Sequence, residues 1–242
     1  MALTAACTSY YEIPIETPIR PKLDVSAFQR VLVAGFISGG TEDVDANLET
    51  TRLLRSQLRT KSDLRVIDTD VLPLMDVATE SRGGEAEAAS TNGSGDPAAI
   101  RDEKDLEPYE HIFADVEYWK RIGEEYQNPL IVTGTVMFTP HSRSGIVQRE
   151  QEVFDSFGRR RVVPVRTYME RKGFILRPRF IFIDGRTGTT LHSENFREEI
   201  LYNANQTTPA LSSYFELMDR LIPSFLSTLS SQKIKGTRVL LQ

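Results

Sequence analysis

The sequence predicts an α/β domain, a mixed β-sheet flanked by about three helices with an antiparallel hairpin extension, and three observations carry that reading. First, the apolar run Val31, Leu32, Val33, Ala34, Phe36 and Ile37 is followed by a helix-periodic segment and a second short apolar run. Strand, helix and strand in that order form a βαβ unit. Second, Phe180, Ile181, Phe182 and Ile183 meet Asp184 and Gly185, cross a polar turn closed by Gly188, and return through Leu191. Asp and Gly supply turn conformations that bulkier residues resist, so this reads as a β-hairpin. Third, Leu211, Phe215, Met218, Ile222, Phe225 and Leu229 recur at helical spacing near the end of the chain.

Taken in order, residues 1–27 read as a signal remnant and an extended tether, with Pro14, Pro18 and Pro21 stiffening it. Residues 28–242 read as a single α/β domain. Its first strand is apolar throughout, as a strand buried on both faces requires. A helix then starts at the N-cap Asp45 and runs to Lys61, placing Leu48, Thr51, Leu54 and Leu58 on one face and Arg52, Arg55 and Arg59 in water. Leu64, Val66 and Ile67 mark the next strand. Residues 79–105 are rich in Gly, Ala, Ser and acids and nearly devoid of aliphatics. Such a segment cannot bury enough surface to offset its ordering entropy, so a disordered insertion is expected there.

Beyond it, a helix over residues 108–126 is expected, with Pro108 in its first turn and Ile112, Val116 and Trp119 on its apolar side. Trp119 reads as a core anchor. A strand over 129–138 begins apolar and turns polar after Thr139. Residues 146–200 read as an antiparallel meander: strands over 147–153 and 162–169 around a polar tip, then 174–183 and 191–200. The last helix covers 209–231, with Pro223 predicting a kink. Residues 236–241 end the chain as an edge strand or an extended tail.

Composition narrows the functional classes. The formal net charge is −5, so no global positive field favours nucleic acid. No apolar run approaches the roughly 20 residues of a membrane-spanning helix. The single cysteine, Cys7, excludes an intramolecular disulfide and a multi-thiolate metal site. His111, His141 and His192 fall on three different predicted elements and no G-x-S-x-G elbow is present, so no catalytic triad is expected. Ser38, Gly39, Gly40 and Thr41 sit where a phosphate loop would, but lack both the Rossmann spacing and a Walker lysine. Glu42, Asp43 and Asp45 add negative charge there, which opposes phosphate. Neither a cofactor nor a metal is expected, and enzymatic activity is not expected.

Two resemblances give an address. Leu3, Thr4, Ala5, Ala6 and Cys7 resemble the end of a bacterial lipoprotein signal, in which small residues precede a cysteine that is lipidated. Arg30 to Phe36, Leu48 to Leu58, Leu64 to Asp68, Leu130 to Val136 and Phe182 to Leu191 follow one another as in envelope lipoproteins related to the curli-secretion channel subunit (CsgG-type). The N-terminal domain of the Tol-system propeller protein and activator lipoproteins of peptidoglycan synthases are similar in fold. This resemblance implies a non-catalytic periplasmic α/β domain, lipid-anchored through Cys7 at the periplasmic face of the outer membrane, that binds other envelope proteins and can form a homo-oligomer. Two alternatives stay open: an oligomeric outer-membrane secretion channel subunit, and a small-molecule or glycan-binding periplasmic domain.

The hairpin extension over residues 145–172 is the expected contact, with Arg159, Arg160, Arg161 and Arg166 as partner-binding residues. Channel members of that family insert alternating apolar hairpins into the membrane. Arginine on a lipid face costs roughly 2–4 kcal/mol near mid-bilayer, so a soluble, partner-facing hairpin is favoured. Expression behind its own upstream coding sequence is expected to yield a diacyl- or triacyl-glyceryl mass on Cys7 by intact mass spectrometry. Cys7→Ser is expected to abolish both that mass and membrane fractionation.

Overall fold

The structure is a computed structural model that describes residues 10–82, 100–154, 156–203, 206 and 208–241. Its centre is a six-stranded mixed sheet built from β2 (Arg30–Gly40), β3 (Arg65–Val66), β4 (Leu130–Phe154), β5 (Arg160–Asp184), β6 (Thr190–Asn195) and β7 (Glu198–Asn203). The order is β3-β2-β4-β5-β6, with β7 also paired to β5. β2 is parallel to β3 and β4, while β5 is antiparallel to β4, β6 and β7. A separate two-stranded sheet pairs β1 (Tyr10–Ile19) with β8 (Gln232–Leu241) antiparallel.

Helices cover both faces of the central sheet. Leu54 and Leu58 of α1 (Ala46–Lys61), with Tyr214, Leu217, Leu221 and Phe225 of α4 (Ala210–Leu229), pack on Val31, Val33, Val132 and Phe180. On the opposite face, α2 (Leu74–Arg82), a 3-10 segment (Glu103–Ala114) and α3 (Val116–Glu125) pack on Leu32, Ile131, Ile181 and Ile183. Both faces of the sheet are therefore buried, which is why its strands are written as unbroken apolar runs. A bulge between Val33 and Gly35 shifts the β2 register. It puts Phe36 on the same side as Val33, so both sides remain apolar up to Ile37.

Several elements depart from the expectations. Residues 10–19 form a strand, because residues 232–241 lie alongside and supply ladder hydrogen bonds that a tether would lack. Arg55 is not in water: its guanidinium donates to the carbonyls of Thr69 (2.5 Å) and Val33 (2.8 Å), and burial lowers its pKa. The expected 108–126 helix is two elements, broken where Asp115 turns out of helical conformation and caps α3 through Tyr118 N (3.0 Å). Val116 and Leu211, both assigned to apolar stripes, are 44% and 45% exposed, since each lies in the first turn of its helix, short of the core. The chain is helical through Arg82, and Ile100 is buried against the second face. Residues 101–105, also expected in the insertion, lead into the 3-10 segment that starts at Glu103, where Asp105 accepts from the Arg101 and Asp102 amides at 2.9 Å; residues 83–99 lie outside the described residues. Most consequentially, β4 and β5 are each one 25-residue strand instead of a series of short ones.

Trp119 is fully buried and donates from Nε1 to the Ile112 carbonyl at 2.8 Å, as an anchor between α3 and the 3-10 segment. A Cβ added at Gly123 of α3 would lie 1.7 Å from the Gly185 carbonyl oxygen, so the helix reaches the sheet's turn only without a side chain there. Urea unfolding is expected to show Trp119→Ala destabilised by about 3–5 kcal/mol and Gly123→Ala by roughly 3 kcal/mol, because backbone must move apart.

Candidate functional site

The distal half of the β4–β5 hairpin is the feature the core does not require. Pairing runs without a shift from Leu130↔Asp184 to Phe154↔Arg160. β4 is buried through Phe138, and beyond Pro140 nearly all its residues are exposed. β7 borders β5 only from Arg171 to Leu176, so beyond it the hairpin is a two-stranded ribbon. Such ribbons are marginally stable alone in water, and this one carries large exposed apolar side chains.

Unbroken register fixes the two faces of the ribbon. Cross-strand partners point to the same side, and alternate residues to opposite sides. Even-numbered positions continue the α1/α4 side of the core, where Val132, Phe138, Phe180 and Phe182 lie. Odd-numbered positions continue the α2/α3 side, with Ile131, Met137, Ile181 and Ile183. The even face holds Ile146 opposite Tyr168, with Val162 and Phe154 further out. These four are 72%, 67%, 54% and 67% exposed. Its charges are balanced: Arg160 pairs with Glu152, and Lys172 with Glu170 at 3.3 Å. Arg166 shares this face opposite Gln148, next to Glu150 on the neighbouring rung.

The odd face holds Arg143, Arg149, Arg161 and Arg171 among Val147, Val153, Val163, Val165 and Met169, and no carboxylate. The structure thus divides the arginines singled out in the sequence. Arg160 and Arg166 share one face, Arg161 points to the other, and Arg159 lies in the connecting turn with its guanidinium 5.3 Å from the Phe157 ring. Arg143, Arg149 and Arg171 were missed, because their common side is visible only once the pairing register is known. Cys7 lies outside the described residues.

The most distinctive sequence motif is structural. Asp184 is 6% exposed. Its carboxylate accepts from Arg186 N (2.9 Å), Nε (3.2 Å) and a terminal guanidinium nitrogen (3.0 Å), while its carbonyl accepts from Gly188 N at 2.7 Å. Gly188 has φ +72°, and a Cβ there would meet the Val116 carbonyl at 2.1 Å, so this turn is moulded to the start of α3. Burial alone would raise the Asp184 pKa, but the Arg186 hydrogen bonds hold it below the ordinary value. Glu194 on β6 behaves alike. Burial would raise it, yet bonds from Lys22 and from Thr228 Oγ1 (3.0 Å) bring it down, tying the segment after β1 to α4.

Clefts also flank the core. One of about 530 Å³ lies past the end of β2, lined by Ser38, Gly39, Gly40, Thr41, Glu42 and Asp76 among others. Two of its backbone donors are engaged, since Gly40 N donates to Ile100 O and Thr41 N to Phe138 O, both at 2.8 Å, and Asp45 accepts from Leu48 N. A phosphate would find the Gly40 and Thr41 amides taken and no cation among the lining residues. A second cleft of about 330 Å³ is lined by Arg177, Arg179 and Arg197 together with Glu103 and Glu110, and Arg179 is paired to Glu110 at 2.9 Å. His111 contacts Ser81 and the Pro108 carbonyl, His141 contacts Glu199, and His192 contacts Glu194. Among the described residues, no group of three or more His, Cys, Asp or Glu side chains is placed to hold a metal ion. None of the helices is long and apolar enough to cross a membrane, again among the described residues.

No protein-family model matches the chain, and no curated protein matches it. Among solved structures it is similar to the lipoprotein GNA1162 from Neisseria meningitidis, with a TM-score of 0.36 and 12% identity, over 81% of this chain and 97% of that one.

Both depressed carboxylates give a pH prediction. Their stabilisation is fully present above the ordinary values of 3.8 for Asp184 and 4.5 for Glu194, and is lost as pH falls through the lower folded-state values. In urea titrations, Asp184→Ala is expected to cost about 1–3 kcal/mol at neutral pH by leaving its donors unpaired. Together with Glu194→Gln, it is expected to flatten the loss of stability between pH 4.5 and more acid conditions.

Proposed function

We propose that this chain is a non-catalytic, lipid-anchored protein-interaction domain of a bacterial envelope assembly, and that the distal β4–β5 ribbon is its partner contact. The observation that carries the reading is the even face of that ribbon. Ile146, Tyr168, Val162 and Phe154 stand exposed in water, beside charges already balanced within the face. An apolar strip whose neighbouring charges sum to zero, four of them in ion pairs, is one that a protein partner can cover without burying net charge. Its two-stranded construction gains stability when a partner packs against it. The address comes from the sequence around Cys7 and from the order of motifs shared with curli-channel-type lipoproteins.

The ribbon does not suit a membrane-spanning role. A lipid-facing strand needs an apolar band on one side. Here one face interrupts its apolar residues with Glu150, Glu152 and Arg166, and the other with four arginines. Arg149 and Arg166 stand midway along the exposed ribbon, where a charge facing lipid would cost most.

A photo-crosslinking amino acid at Ile146 or Tyr168, in the lipidated protein in intact cells, tests this reading. Discrete protein adducts are expected at both positions and none from Arg52, on the solvent side of α1. An adduct pattern no different from that of Arg52 would overturn it.

A further inference from the structure

We propose that the odd face of the β4–β5 ribbon docks on an anionic phospholipid surface. The inference is carried by charge segregation between the two sides of one hairpin. Between Arg143 and Val153 on β4, and between Arg161 and Arg171 on β5, the odd positions hold four arginines and no acid. The even positions, counted one rung further at each end to Ser142↔Lys172 and Phe154↔Arg160, hold Glu150, Glu152 and Glu170 against Arg160, Arg166 and Lys172, a balanced set. All four odd-face arginines are exposed. Among the described residues, none of them forms an ion pair.

Arg143 stands directly opposite Arg171. Like charges in cross-strand register repel, and an anion between them converts that repulsion into binding. The remaining odd-face residues are Gly145, Gln151, Thr167 and the half-buried Val147, Val163, Val165 and Met169, with Val153 more exposed. Aliphatics interleaved with arginines match the lipid interface. Methyl groups enter the headgroup region while guanidinium groups take phosphate oxygens in bidentate fashion.

The shape favours a bilayer over an acidic protein. A ribbon two strands wide offers no concavity, yet this face extends roughly 33 Å from Arg143 to Val153 at about 3.3 Å per residue. An extended basic strip without a pocket suits the repeated phosphodiesters of a lipid surface. The inference rests on the envelope reading only for its address, since a lipid chain on Cys7 would hold the domain near such a surface. That anchor fixes only the end of the chain, and a basic face attracted to anionic headgroups would orient the domain against them.

Co-sedimentation of the unlipidated protein with phosphatidylcholine vesicles, with and without phosphatidylglycerol, tests the proposal. Binding is expected only to the anionic vesicles and to fall with salt. Arg149→Gln with Arg161→Gln is expected to lower the partition coefficient about 25-fold, at roughly fivefold per arginine. Arg52→Gln with Arg59→Gln, which removes the same charge from α1, is expected to change it less than about twofold. Equal binding to neutral and anionic vesicles, or equal losses in the two double variants, would overturn the proposal. So would failure on pure lipid combined with retention on native membranes through a protease-sensitive component, which would assign the face to an acidic protein. Vesicle binding that persists while the Ile146 and Tyr168 crosslinks fail sinks the protein-partner reading and leaves the lipid face standing. The reverse result separates them the other way.

Discussion

The unshifted pairing of β4 with β5 is the constraint on which the rest of the structure depends. Near its base it supplies the central pair of the sheet. Leu130, Val132 and Phe138 reach one helical layer, and Ile131 and Met137 the other. Because no bulge interrupts the ladder, the same parity continues past Pro140 into solvent. A single slip anywhere in the distal half would exchange the two sides of everything beyond it. The turn of Asp184, Gly185 and Gly188 closes the base of this pair against α3, so the register of the ribbon is held from the packed end of the molecule.

Alternation has two different consequences along these strands. Inside the domain both parities are apolar, since helices cover both sides. Outside it, alternation separates properties: exposed apolar residues with compensated charge on one face, uncompensated arginine on the other. The β1–β8 ribbon shows a related separation. Tyr11, Ile13, Ile15 and Ile19 occupy alternate positions of β1 and are all exposed. Glu16, at the other parity, pairs with Lys233 and Lys235. Both ribbons are two strands wide, and neither is covered within the chain by a described element.

Conspicuous sequence features and functional ones do not coincide here. The Asp184 turn is the most motif-like segment of the chain, yet its groups are spent on closing a hairpin onto a helix. The loop of Ser38, Gly39, Gly40 and Thr41 has the position of an anion cradle, yet its Gly40 and Thr41 amides are already bonded to the protein's own carbonyls. The adjacent arginines 159–161 look like one basic patch, yet the strand sends neighbours to opposite sides and the turn takes the third.

The sequence by itself determined the α/β class, the buried strand 30–37, the α1 helix with its Asp45 cap, the core role of Trp119 and the span of α4. These follow from local patterns: apolar runs, helical periodicity and capping residues act within one or two turns of chain. Tertiary structure alone decided the rest. Residues 10–19 became a strand because the far end of the chain pairs with them, and Arg55 was drawn inward because the carbonyls of Val33 and Thr69 come within reach. The 3-10 break before α3 formed where two helical pieces must follow the sheet. The grouping of Arg143, Arg149, Arg161 and Arg171 depends on a register between strands up to 28 residues apart along the chain. Composition and spacing cannot encode which rung faces which; only the paired backbone does.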